Sequence, residues 1–142
     1  MTKSGNDEWV GALCQNRLDD NRDKYTWKIK ILKIYNGTIM FGASPIDFDI
    51  NSSSYGNCGW YFYCYSSVLY SGNPYQYNNK KTDLKKPKEE IKIVLNMKRR
   101  TLKFIVDEKD KDESYLNIPI DKPIVPTVFL YHKNDSVEII EC

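Results

Sequence analysis

GWYFYCYSSVLYSG, residues 59–72, is the stretch on which the fold turns. In an extended chain Trp60, Phe62 and Cys64 fall on one side, and Tyr61, Tyr63 and Tyr65 on the other, because successive side chains alternate across a strand. A strand of this kind is covered on both faces, or its tyrosine face lines a groove. Ser66-Ser67 makes a polar break, and a short apolar run closed by Gly72 follows. The answering segment is TLKFIV, residues 101–106, in which Leu102, Phe104 and Val106 alternate with Lys103 and Ile105 as one arm of a hairpin.

The same period of two recurs outward from these segments, and sustained helical periodicity is hard to find. Tyr25, Trp27, Ile29 and Ile31 share one face, while Thr26, Lys28 and Lys30 share the other. That pattern predicts a half-buried antiparallel strand with a basic outer face. It slips at Leu32, where a bulge or strand end is expected. Asn36-Gly37 predicts a tight hairpin turn, since both residues tolerate positive φ. A strand over Thr38–Ala43 ends at Ser44-Pro45, and Asn51–Gly56 is a polar loop. Residues 73–90 read as a long Asn-, Lys- and Tyr-rich connection with room for only a brief helix, around Asp83–Glu90. Ile91, Ile93, Leu95 and Met97 alternate before the chain turns at Lys98–Arg100. Asp107–Glu113 is a charged turn, Pro119, Pro123 and Pro126 punctuate the approach to Val128 and Leu130, and a last strand runs from Ser136 to about Glu141. Short strands with turns every eight to twelve residues predict an all-β antiparallel sandwich, two packed sheets with about nine to twelve strands in total.

A chain of 142 residues fits one domain with a sizeable core. We therefore take residues 1–142 as a single unit, with 1–8 expected to be flexible. Its 21 basic and 19 acidic residues give a formal net charge of +2, so no global field favours nucleic acid or membrane. The N-terminal residues are polar, without the apolar centre of a signal peptide. No apolar run approaches the ~20 residues of a membrane-spanning helix. Cys14, Cys58, Cys64 and Cys142 follow no metal-ligand spacing, and reduced thiols in a cytoplasmic protein are the simpler reading. Sequons at Asn36, Asn51 and Asn134 keep a secreted glycoprotein in view, though such tripeptides arise by chance in an Asn-rich chain.

Taken in order, YTWKIKI (25–31), IMFGAS (39–44), Gly59–Gly72, IKIVLNMKRRTLKFIV (91–106), PIDKPIVPTVFLY (119–131) and DSVEII (135–140) resemble a SPRY domain over residues 25–140. The resemblance implies a concanavalin-like sandwich that binds peptides or folded proteins on a loop-built face, without cofactor, metal or turnover, as an adaptor or substrate receptor in a larger assembly. Carried over from adaptors with a SOCS box, the pocket would fall around Ala12–Arg17, with Leu13, Asn16 and Arg17, together with Tyr55 and the stretch Leu130, Tyr131, His132. Those adaptors have a Trp-Gly pair where this chain has Tyr131-His132, so their acidic-Asn peptide preference does not transfer. Many SPRY domains also have an acidic or glycine turn where this chain has Lys98-Arg99-Arg100, a difference that bears on partner choice.

Among the tyrosines, Tyr55, Tyr70, Tyr75, Tyr77 and Tyr131 are the contact candidates, because tyrosine combines a rigid face with a hydroxyl. Strand propensity explains most of the eleven equally well. Arg17 can meet a ligand carboxylate or simply answer Asp19 and Asp20. His132, the only histidine, cannot build a His-based metal centre. The lysines of 80–88 with Tyr75 and Tyr77 invite a nucleic-acid reading, but Asp83, Glu89 and Glu90 interrupt them. Asp47 and Asp49 lack the opposed partner that a glycosidase pair requires. The alternative function is a lectin-like carbohydrate-binding sandwich, for which Asp47, Asp49 and Asn51 would offer calcium ligands. The expectation is a non-enzymatic, monomeric protein-binding module.

Overall fold

The computed structural model describes residues 1–7, 10–13, 22–47, 59–73, 76–81, 84, 86–109, 114–119 and 122–140, without the side chains of 10, 13, 70–73 and 76–81. The described residues form ten strands: β1 (Val10–Leu13), β2 (Lys24–Lys33), β3 (Ile39–Pro45), β4 (Trp60–Tyr63), β5 (Val68–Asn73), β6 (Gln76–Lys81), β7 (Glu90–Asn96), β8 (Thr101–Val106), β9 (Ile124–Leu130) and β10 (Ser136–Ile140). They form an antiparallel sandwich, a six-stranded sheet in the order β1-β9-β3-β4-β5-β6 against a four-stranded sheet in the order β10-β2-β7-β8. No helix occurs among the described residues.

The core lies between the sheets. Tyr25, Trp27 and Ile29 of β2, Ile91, Ile93 and Leu95 of β7, and Leu102 and Phe104 of β8 meet Ile39 and Phe41 of β3, Phe62 of β4 and Val128 and Leu130 of β9. Fully burying a side chain of this size contributes roughly 1.5–3 kcal/mol, so this seam supplies most of the driving force. The four-stranded sheet keeps its outer face in water, with Lys28 opposite Lys92 and Lys30 opposite Glu90. The middle strands of the six-stranded sheet, β9, β3 and β4, are buried on both faces: Met40, Tyr61, Val125 and Phe129 lie on the far side. There the Tyr61 and Phe129 rings meet edge to face at 5.5 Å, and Ser44 Oγ and Thr127 Oγ1 share a buried hydrogen bond of 2.8 Å. This is the doubly covered strand that the alternation of residues 60–65 allowed. β3 and β4 approach so closely that a Cβ on Gly42 would lie 1.9 Å from the Trp60 carbonyl oxygen, and only glycine fits.

Several details depart from the sequence reading. Asn36-Gly37 is a turn but not a hairpin, since β2 pairs with β7 and β10 whereas β3 pairs with β4 and β9. The turn therefore carries the chain from one sheet to the other. Asn36 Oδ1 accepts from Thr38 N (3.1 Å) and Thr38 Oγ1 (2.6 Å), and Gly37 takes φ +89°. The connection expected over 73–90 holds a strand, because β5 continues to Asn73 and pairs with β6. Leu84 and residues 86–89 are not helical. β1 had no counterpart in the reading, as VGAL is too short to show a period. The slip at Leu32 is a bulge, with Ser136 opposite Lys33 and Val137 opposite Ile31 so that Leu32 is skipped.

Candidate protein-binding surface

Four segments converge at one end of the sandwich. β2 leaves at Lys33 through 34–38 into β3, whose first residue Ile39 lies opposite Leu130. β9 leaves at Leu130 through 131–135 into β10, β4 turns at 64–67 into β5, and Lys86 reaches in ahead of β7. Turn residues at strand ends cannot all point inward, so the aromatics among them are pushed to the surface.

Tyr35 is 76% exposed and Tyr65 56% exposed. The Tyr35 ring meets His132 at 4.8 Å, and Tyr131 meets His132 at 5.0 Å, both edge to face. Tyr63 and Tyr65 stand 6.3 Å apart, and Lys86 Nζ sits 5.7 Å from the Tyr65 ring centre. Burial pushes the Tyr63 phenol up, and the neighbouring Tyr65, Cys64 and Tyr131 add to the shift against a hydrogen bond with Thr38.

The backbone beneath is fixed by hydrogen bonds. Tyr35 N donates to Oδ1 of the buried Asp135 at 2.9 Å. Lys86 Nζ donates to Asn36 O at 2.7 Å, and its stem crosses Gly37, where a Cβ would lie 2.7 Å from Lys86 Cδ. Asp107 ties down the segment that brings Lys86 there, its carboxylate accepting from Lys88 N (2.9 Å), Glu89 N (2.8 Å) and Glu90 N (3.1 Å). On the other flank Asp7 accepts from Lys133 N at 2.9 Å and lies 3.1 Å from His132 Nδ1. The Lys133 N–H first, and then His132, hold the Asp7 carboxyl below its ordinary range. Residues 1–7, expected to be flexible, run beside β10: Val137 N donates to Met1 O at 2.9 Å and Asn134 N to Lys3 O at 2.9 Å. Lys3 is only 2% exposed, with Nζ donating to the carbonyls of Ser4 and Asn6.

Of the expected contacts, Tyr131 and His132 lie on this surface, half-buried. Leu130 does not: it is 0% exposed and belongs to the core, so as a contact residue it is corrected. Leu13 ends β1 opposite Thr127, and Tyr70 lies in β5 opposite Tyr61 and Asn79. Asn16, Arg17, Tyr55, Tyr75, Asp49 and Asn51 lie outside the described residues. β1 runs from Val10, beside Leu130, to Leu13, beside Thr127, and so heads away from Tyr131. β3 ends at Pro45 opposite Ile124, and β4 begins at Trp60 opposite Ala43. What reaches His132 is Asp7, which precedes β1.

Asp47 binds Lys122 Nζ at 2.7 Å, an exposed ion pair that keeps its carboxyl below the ordinary range. Among the described residues no group of three or more His, Cys, Asp or Glu side chains is arranged to hold a metal. Cys64 is a free, buried thiol whose burial pushes its pKa well up, the opposite of an activated nucleophile. The sequence reading missed Tyr35, Tyr65, Lys86 and Asp7. A signal existed for the tyrosines, since each directly precedes a turn dipeptide, Asn36-Gly37 or Ser66-Ser67. Nothing local marked Lys86 or Asp7.

This two-sheet antiparallel sandwich is a fold of the SPRY type. The SPRY domain profile matches residues 24–142, and the chain belongs to the SPRY domain family, whose members are generally protein–protein interaction modules. Solved structures agree on the fold. The SPRY domain of human HERC1 matches with a TM-score of 0.77 at 20% identity, over 97% of this chain and 84% of that one. A further human SPRY domain gives 0.78 at 14% identity, over 98% and 89%. The TRIM65 PSpry domain gives 0.62 at 11%, over 93% and 70%. No curated protein sequence matches the chain.

Proposed function

We propose that this SPRY domain is a non-enzymatic adaptor or substrate receptor, acting inside the cell, that holds a peptide segment or folded partner at its aromatic end. The observation that carries the reading is the gathering of rings at this end, Tyr35 and Tyr131 about His132 and Tyr63 with Tyr65 beside Lys86. Tyrosines offer large contact area with little side-chain entropy to lose, and rings already braced against one another lose less still. The lysine and the Asp7–His132 pair supply polar contacts at the rim. Asp47, the first oxygen ligand of the calcium-lectin alternative, is engaged by Lys122, which leaves that reading with less support.

The test is an affinity capture from lysate with a Tyr35→Ser, Tyr65→Ser double variant, both positions being exposed enough to change without unfolding the domain. Proteins retained by the wild type and lost by the variant support the aromatic end. Equal retention by both overturns it and directs attention to Arg17 and Tyr55, each testable by substitution with alanine.

A further inference from the structure

The opposite end of the four-stranded sheet concentrates positive charge. The β7–β8 hairpin turns through Lys98, Arg99 and Arg100, all exposed. Arg22 and Lys24, also exposed, lie beside it, because Met97 N donates to Asp23 O at 2.8 Å and Lys24 pairs with Asn96. Lys103, half-buried, adds a sixth cation one step along β8, against Asp23 as the one acid within this group of described residues. Among the described residues Arg22, Lys24, Lys98 and Arg100 form no ion pair.

The turn is also rigid and chemically unusual. Arg99 N donates to Asn96 Oδ1 at 2.9 Å, and Ile118 N to Arg100 O at 3.0 Å. Arg100 itself takes φ +56°, a left-handed conformation that glycine or asparagine adopts with less strain. Three adjacent cations repel one another, and the last of them is strained, so neither turn formation nor packing accounts for this sequence.

We propose that the hairpin tip Lys98–Arg100, with Arg22 and Lys24, is a second docking surface, for an acidic polypeptide segment. Charge complementarity identifies the occupant: a fixed array of two kinds of cation suits a run of carboxylates, with arginine able to bind them bidentately. A single-stranded nucleic acid would need an exposed ring for base stacking, and the aromatic residue at hand, Tyr25, is buried beneath Arg22, whose guanidinium lies 5.2 Å from its ring centre. The surface is separate from the aromatic end and goes beyond the reading above. Capture with the Tyr35→Ser, Tyr65→Ser variant and binding at the hairpin can therefore fail independently.

The test uses the 142-residue chain and fluorescence anisotropy with a labelled dodecaglutamate peptide, a dodecaglutamine peptide and a short duplex DNA as probes. Saturable binding of the glutamate peptide that weakens between about 50 and 200 mM salt is expected, with no binding of the glutamine peptide. Lys98→Gln with Arg100→Gly should weaken it by about 10-fold, whereas Lys109→Gln at the other end should leave it unchanged. Arg100→Gly alone should keep or raise the melting temperature while lowering affinity, which separates lost binding from lost folding. The proposal is overturned by no binding of the glutamate peptide, by equal binding in the double variant, or by duplex DNA binding more tightly at both salt concentrations.

Discussion

Replacing Asp107 tests how the aromatic end is held together. Its carboxylate accepts three main-chain N–H groups from Lys88, Glu89 and Glu90, and its own N donates to Glu90 O at 3.0 Å. Two of the three bonds are exposed, so water replaces them in part, and each is worth roughly 0.5–1 kcal/mol instead of the 1.5–3 of a buried charged bond. Their sum is about 2 kcal/mol. Asp107 also takes φ +48°, which alanine adopts at a further cost of about 1 kcal/mol. Asp107→Ala should therefore cost about 3 kcal/mol. Asp107→Gly removes the strain and should cost about 2, and Asp107→Asn, which keeps one acceptor and tolerates this conformation, about 1. Urea denaturation at neutral pH reads all three as shifts in midpoint at constant slope. Burial raises the Asp107 pKa, but the N–H groups of Lys88, Glu89 and Glu90 together bring it below the ordinary value. The carboxylate's advantage over asparagine is thus complete above the unfolded pKa of about 4 and fades as pH falls through the lower folded value. Equal stability of wild type and Asp107→Ala, or a gap to asparagine that persists at the lowest pH, would refute the reasoning. Because Asp107 anchors the segment leading from Lys86, Asp107→Ala should also weaken partner retention at the aromatic end.

Gly42→Ala should cost about 3 kcal/mol or more, or prevent folding, since the new methyl meets main chain that cannot move aside, and circular dichroism melts report it. Tyr115→Phe should cost about 1–2 kcal/mol by leaving the Tyr61 carbonyl, 2.6 Å away, without that donor, as chemical denaturation would show. Burial pushes the Tyr115 phenol far up, so its protonated form contributes stability below the unfolded pKa of about 10 that is lost as pH rises. Absorbance of ionised tyrosine should accordingly show that the Tyr115 phenol, identified by comparison with Tyr115→Phe, titrates only as the domain unfolds. Asp7→Ala should release residues 1–7 from β10, seen as faster amide exchange at Val137 and Asn134 without change in the core strands.

Fold class was legible because burial writes itself as a period of two. Tyr25 to Ile29 and Ile91 to Met97 each carry that period over enough residues to be unambiguous, and both became inner faces of the four-stranded sheet. Pairing was less legible. Asn36-Gly37 has ideal hairpin chemistry, yet which sheet a strand joins depends on partners far along the chain. β6 was hidden because QYNNKK lacks apolar alternation; it is an edge strand, asked for main-chain hydrogen bonds more than for burial. Of the candidate site, Tyr131 and His132 could be placed by resemblance, but Tyr35 and Asp7 come to them through tertiary contacts between residues about a hundred or more apart, which no local pattern encodes.

The position of β9 bears on how the domain is made. It fills the slot between β1 and β3, and β10 then pairs with β2, so residues 124–140 complete both sheets. During synthesis the earlier strands emerge with that slot open. Phe41 and Ile39 have no neighbour on one side, and the edges of β1 and β3 are unpaired. Neither sheet can close until Leu130 and Val137 have left the ribosome. The domain therefore folds after translation of its own last strands, slowly for its size. In the interval the unpaired edges are open to wrong association, and a ribosome stalled before residue 124 would hold an aggregation-prone intermediate and not a partial domain.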